Sequence, residues 1–167
     1  MNKQPVGLTA FIKAHPVSAV GRFLHLILRT LFGVFWLAAG INKITKEWLT
    51  TDTLEQAFLQ RLTELPPDSF AVFYLQTLAI PLSVPIAWVV TVGEIYVAIG
   101  LLFGVTTRLA AAASFFILFN FAIGGYYDAS LIPFFLLSLL FMAYSSGHWL
   151  GFDRTLHRRY PVSKWFG

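Results

Sequence analysis

Four apolar runs, each near the length needed to cross a bilayer, constrain this chain more than any other feature. A helix needs about 20 predominantly apolar residues to span a hydrocarbon core of about 30 Å. The first run, Leu24 to Ile41, carries Arg29 near its start, and the second, Val84 to Val105, is interrupted only by Glu94. The third extends from Leu109 to Ile123, reaches Gly125 as a span, and contains Asn120. The fourth, Leu131 to Tyr144, is short unless Ala129 and Ser146 are counted in. The expected fold is all-α: an integral membrane four-helix bundle in one domain, with spans at 24–41, 84–105, 109–125 and 129–146.

Composition agrees. Apolar residues make up 57% of the chain, charged residues 12%, and the mean hydropathy is +0.69. An ordinary soluble domain carries about 25% charged residues, so this one lacks the polar surface to cover itself in water. Lipid accounts for the deficit. The chain has no cysteine, which excludes disulfide relays, thiolate metal sites and thiol redox chemistry and says nothing of compartment. The net charge of +4 and a pI near 9.6 come from basic residues at the two termini beside apolar runs. That is a membrane pattern rather than a nucleic-acid face. The first stretch is broken by Lys3, Pro5, Lys13, His15, Pro16 and Arg22, so no cleaved signal peptide is expected.

The connections differ in kind. Thr106-Thr107-Arg108 is a tight turn that makes the second and third spans antiparallel neighbours, and Gly124 to Asp128 is another, with tyrosines suited to the headgroup level. The link over 42–83 is long. Its first part places Trp48, Leu54, Phe58, Leu62 and Leu65 at helical spacing, which predicts an amphipathic helix at the interface ended by Pro66-Pro67. Asp68 or Ser69 then caps a second short helix that stops at Pro81. The apolar stretches around Pro81 and Pro85 fit a re-entrant pair as an alternative to a surface helix. Lys3, Lys13, Arg22, Arg29, Arg108, Arg154, Arg158, Arg159 and Lys164 all fall on one side of a four-span chain. The other side receives Lys43, Lys46 and Arg61, diluted by acids. The basic side faces the cytoplasm by the positive-inside bias, which puts the tails 1–22 and 148–167 there and the 42–83 link outside.

Glu94 is the candidate catalytic residue. A carboxylate near the middle of a span costs roughly 2.5–3.5 kcal/mol on insertion scales, so it faces the bundle interior, protonated or paired with a cation. Arg29, Lys43 and Arg108 are its candidate partners, and spacing does not choose among them. The competing reading is a structural ion pair that locks spans together. Asn42 and Asn120 fall toward the outer half, and an amide there needs a partner across helices. Gly33 and Gly40, Gly93 and Gly100, and the Gly100-x-x-x-Gly104 match mark faces where helices pack closely. The four histidines (His15, His25, His148, His157) have no i, i+3 or i, i+4 spacing, so neither a metal site nor haem is expected.

Arg29, Gly33 and Phe35-Trp36 leading into Gly40-x-x-Lys43 resemble the first span of the DoxX/DoxD family of small membrane proteins. The stretch Gly93 to Ala111, with Glu94 and Arg108, is similar to that family's second span, and Gly147-x-x-x-Gly151-x-Asp153 resembles its usual ending. The resemblance implies a four-helix bundle with a long first periplasmic connection, in the inner membrane of a bacterium. Its best-known members resemble the membrane subunit of thiosulfate:quinone oxidoreductase, and others are accessory or chaperone-like.

Two functions follow as expectations. One is a quinone-linked oxidoreductase subunit acting on a small reduced sulfur substrate. In it Glu94 accepts a proton, and Lys43, Arg108, Arg29, Asn42 and Asn120 supply the binding groups for substrate or quinone. The other is a non-enzymatic accessory or assembly subunit with a protein partner in the membrane, or a homo-oligomer. A transporter is weakly supported, because no inverted repeat is visible.

Overall fold

In a computed structural model that describes residues 16–144, 146–147 and 149–159, every regular element is helical. The basic and histidine positions Lys3, Lys13, His15, His148 and Lys164 lie outside the described residues, as do most of the two expected tails. The elements in order are α1 (Pro16–Thr45), α2 (Thr53–Glu64), α3 (Phe70–Tyr74), α4 (Ser83–Phe103), α5 (Thr107–Phe121), α6 (Leu131–Ala143) and α7 (Asp153–Arg159). Helix α3 runs on as a π-helical turn over Leu75–Ala79, and α5 runs on as another over Ala122–Tyr126.

Three helices are long and apolar enough to cross a membrane: Ser18–Thr45, Ser83–Phe103 and Thr107–Tyr126. At 1.5 Å per residue the 21 residues of α4 reach about 31 Å. The 13 residues of α6 reach only about 20 Å, so the fourth apolar run forms a shorter helix than the first three. All four nonetheless share one core. Phe32 and Trp36 from α1, Val97 and Leu101 from α4, Ala110 and Leu118 from α5 and Phe141 from α6 are all buried in it. The apolar side chains left outside, among them Val89, Val92, Phe116 and Leu136, suit a hydrocarbon surrounding.

Glycines set the helix separations where the sequence places them. A β-carbon on Gly100 would stand 2.5 Å from that of Ala110, one on Gly40 2.7 Å from Ile95 Cδ1, and one on Gly33 2.9 Å from Leu102 Cγ. The close α1–α4 and α4–α5 contacts therefore depend on missing side chains. Gly104 ends α4 in the left-handed region at φ 64°, with Val105 N donating to the Gly100 carbonyl at 3.0 Å. The tight turn is Gly104 to Thr106, slightly earlier than spacing predicts, because Thr107 already opens α5.

The long first connection folds over one end of the four helices. Helix α2 buries Leu54 and Phe58 against Leu75, Ala79 and Ala87, forming a second small core, while Leu59, Gln56 and Gln60 stay exposed. Its amphipathic pattern thus packs on protein. The predicted helix begins at Thr53 rather than before Trp48, which sits in the preceding turn. Ser69 caps α3, its hydroxyl accepting from Val72 N at 3.3 Å. Arg61 Nε donates to the Gly125 carbonyl at 3.0 Å and Tyr126 Oη to the Ala57 carbonyl at 3.0 Å, which fastens α2 to the end of α5. Beyond that end, the Asp128 carboxylate accepts from Ser130 N at 2.6 Å, and these Ser130 bonds hold its pKa below the ordinary value.

The opposite end is closed by the C-terminal segment. Phe152 N and Asp153 N donate to the carbonyls of Phe103 and Gly104 at 3.2 and 2.9 Å. Asp153, 1% exposed, accepts from Thr106 N at 2.6 Å, Thr107 N at 3.1 Å and Thr107 Oγ1 at 2.8 Å. Its carboxylate therefore caps the N-terminus of α5. Gly147 has no room for a β-carbon beside Asp153 and Thr107, and Gly151 backs onto the Gly104 backbone. The Gly-x-x-x-Gly-x-Asp spacing is a packing device that seats this cap.

Candidate functional site

Lys43 and Glu94 meet inside the protein. Lys43 lies in the last turn of α1 and Glu94 in the middle of α4. Lys43 Nζ donates to Glu94 Oε1 at 2.7 Å, with the two side chains 10% and 1% exposed. With both groups buried, this contact offsets part of the cost of taking a carboxylate and an ammonium out of water. The pair forms because α1 and α4 pack along their length, which brings residues 51 apart in sequence together.

The surroundings are aromatic and short of hydrogen bonds. The Lys43 ammonium lies 5.0 Å from the ring centre of Trp48 and 5.9 Å from that of Phe121, both within cation–π range. Glu94 Oε2, Thr91 Oγ1 and Trp36 Nε1 are buried without a hydrogen-bond partner among the described residues. Thr91 shares a face of α4 with Glu94 by its i, i+3 spacing, and Trp36 shares a face of α1 with Lys43. A buried polar atom left unpaired costs about 1–3 kcal/mol, so Glu94 Oε2 and Thr91 Oγ1, one turn apart on α4, make this stretch a candidate polar site, while Trp36 packs against Phe32 and Phe35 in the main core.

Trp48 and Phe121, the rings beside Lys43, also line a cavity of about 240 Å³ with Leu54, Ala57, Phe58, Tyr126 and Leu131. Its walls are apolar, and two of its lining rings, Trp48 and Phe121, are the ones nearest the Lys43 ammonium. An apolar cavity of that size suits a small flat ring.

The other predicted residues are distributed differently. Arg29 is buried at 3% exposure, but it sits 14 residues before Lys43, about 21 Å along the same helix. Its Nη2 donates to the Leu150 carbonyl at 2.8 Å and its Nη1 to Ser146 Oγ at 3.3 Å, so it ties α1 to the C-terminal segment. Arg108 is exposed near the start of α5, by the same end of the molecule, and Asn42 is exposed on the outer side of α1. Neither is gathered to the Lys43–Glu94 pair. Asn120 is half-buried and accepts from Tyr74 Oη at 3.0 Å, while its Nδ2 donates to the Phe116 carbonyl at 2.8 Å. It joins α5 to α3, as an amide within a span should.

Trp48, Phe121, Tyr74, Thr91 and Trp36 were not legible as site residues. Aromatic residues are ordinary in spans, and only Trp48, five positions after Lys43, carried a positional hint.

No curated protein and no solved structure matches the chain. The DoxX family pattern matches residues 24–124, a stretch holding Arg29, Lys43, Glu94, Arg108 and Asn120. With more than half of its length matched, the chain belongs to the DoxX family.

Proposed function

We propose that this DoxX protein is a quinone-linked membrane subunit whose ring site is the aromatic pocket beside Lys43 and Glu94. The observation that carries the reading is the shared lining: Trp48 and Phe121 wall the pocket and flank the Lys43 ammonium. A quinone ring stacked there presents a carbonyl oxygen toward the ammonium. Reduction of that quinone takes two electrons and two protons. The electrons come from oxidation of a small reduced sulfur donor, and Glu94 passes protons to the ring oxygens. The chain itself has no cysteine to carry electrons, so the donor reacts with the quinone directly or through a partner subunit.

In the same reading all four apolar helices cross the inner membrane of a bacterium, both termini are cytoplasmic, and the α2–α3 cap faces outward. The short α6 spans with help from its flanking turns and local bilayer thinning. Basic residues Arg108, Arg154 and Arg158 on the end closed by the C-terminal segment support that orientation.

The test is quinone reduction by purified protein with thiosulfate as donor, for the wild type and Glu94→Gln. The reading expects turnover that falls at least about a hundredfold in the variant, the scale of a lost proton-transfer group. No turnover with any reduced sulfur donor, or full activity in the variant, overturns it.

A second reading is an accessory subunit that stabilises a membrane partner, with the Lys43–Glu94 pair as an internal clamp. It is favoured by two buried ties that α1 makes about 21 Å apart along its length, Lys43 to Glu94 and Arg29 to Leu150. Loss of a co-purifying membrane protein on deletion of this chain would support it.

A further inference from the structure

The connection between α1 and α4 changes character half-way along. Helix α2 leaves Gln56, Gln60 and Glu64 exposed, as a water-facing surface requires. The segment Phe70–Ala79, which is α3 with its π-helical turn, carries no charge. Phe70 and Phe73 are 67% and 61% exposed, with ring centres 6.1 Å apart, and Leu78 is exposed as well. The other side of the segment is packed on protein, with Leu75 and Ala79 buried against Leu54, Phe58 and Ala87. A helix that is apolar on both sides needs an apolar surrounding on both.

The segment lies beside the long helices rather than beyond them. A β-carbon on Gly125 would stand 3.3 Å from that of Ala71, and one on Gly124 3.7 Å from Leu75 Cδ2. Tyr74 Oη donates to Asn120 Oδ1 at 3.0 Å, six residues before the third long helix ends at Tyr126. Leu78 lines one groove with Val89, which stands six residues into α4. Six residues are at most about 9 Å of helix. Helix α4 is about 31 Å long and Thr107–Tyr126 at most about 30 Å, which only matches the hydrocarbon thickness. Where these helices cross a bilayer, their end turns and whatever packs beside them lie in hydrocarbon.

The backbone meets the condition for such a place. The Ser69 hydroxyl accepts from Val72 N, and the amides of Ile80, Leu82 and Ser83 donate to the carbonyls of Leu75, Leu78 and Ile80 at 2.9, 3.2 and 3.1 Å. Pro81 and Pro85 have no amide hydrogen to satisfy. A chain that turns back within lipid needs this internal pairing.

We infer that Phe70–Ala79 is a re-entrant half-helix seated in the leaflet on the α2 side, with Phe70 and Phe73 turned into the acyl chains of phospholipid. The inference rests on α4 and α5 crossing the bilayer, and it divides the cap: α2 meets water and α3 meets lipid. Continuity decides the occupant. Leu78 adjoins the exposed Val89 and Phe116 of the two long helices, so the hydrocarbon that covers those side chains reaches α3 too.

Because the chain has no cysteine, a nitroxide can be attached at one introduced cysteine at a time in the full chain, held in phosphatidylcholine nanodiscs. Phe70→Cys and Phe73→Cys report on the segment, Val89→Cys on the lipid side of α4 and Gln60→Cys on the outside of α2, all four at exposed positions. Power-saturation spectra compare collisions with molecular oxygen, which concentrates in hydrocarbon, and with a water-soluble nickel chelate. The labels at Phe70, Phe73 and Val89 are expected to favour oxygen, and the label at Gln60 nickel. Nickel dominance at Phe70 or Phe73, with oxygen dominance at Val89, overturns the leaflet assignment and leaves the span standing. Protection of either phenylalanine position from both reagents also overturns it, since a protein then covers the face. Nickel dominance at Val89 removes the span itself, and the inference falls with it.

Discussion

Arg29 in the first span reaches 121 positions along the chain to the carbonyl oxygen of Leu150, at 2.8 Å. A guanidinium buried at 3% exposure thus spends its donors on the backbone and hydroxyl of the C-terminal segment. Its planar fork reaches two acceptors at once, which a lysine ammonium cannot reproduce in the same geometry.

Removing that fork should free the C-terminal segment while leaving the helices assembled. Arg29→Lys and Arg29→Ala are both expected to speed tryptic cleavage at the exposed Arg154 and Arg158 at least about tenfold, because the segment opens locally more often. Limited proteolysis in detergent followed by mass spectrometry reads the sites. Unchanged cleavage in both variants would show that Arg29 does not hold this segment.

Asp153 makes a second, separable tie. Asp153→Ala removes three hydrogen bonds, two of them to the otherwise unpaired amides at the start of α5. A lost cap of this kind costs about 0.5–2 kcal/mol, so the variant should unfold earlier in a denaturant titration in micelles. Asp153→Asn, which keeps an acceptor oxygen, should lose less.

The Lys43–Glu94 pair separates stability from binding. Lys43→Ala strands a buried carboxylate and should cost about 3–5 kcal/mol, whereas the double change Lys43→Met with Glu94→Leu should be near neutral or stabilising. Thermal unfolding measures both. If the pair also serves the ring site, the double variant regains stability without regaining quinone binding.

The glycines give a contrast within one residue type. Gly100→Ala drives a methyl group against Ala110 at the α4–α5 contact and should cost about 1–3 kcal/mol. Gly21→Ala meets nothing within 4 Å and should be neutral or gain up to about 1 kcal/mol of helix propensity. Equal effects at the two positions would refute the close approach of α4 and α5.

Much of this architecture follows from the sequence alone. The period and length of the apolar runs locate the helices, because a backbone in lipid must satisfy its own hydrogen bonds and only a continuous helix does so within one segment. The rarity of charge makes Glu94, Arg29 and Lys43 visible at once, since each costs energy inside a span and needs a partner. The small-residue faces at Gly33, Gly40 and Gly100 are equally plain, because close packing in lipid requires them.

Which partner each charge takes is a different matter. Glu94 had three cations in reach by sequence, and helix packing alone puts Lys43 at 2.7 Å while turning Arg29, mid-way along α1, to the C-terminal segment and leaving Arg108 exposed. The aromatic pocket was hidden for the same reason. Its walls come from the turn after α1, from α2 and from the end of α5, and phenylalanines and tryptophans that line a site read like those that face lipid. Sequence determined which groups would be costly to bury. Only the tertiary structure, by fixing the separation and rotation of the helices, decided which of those groups meet.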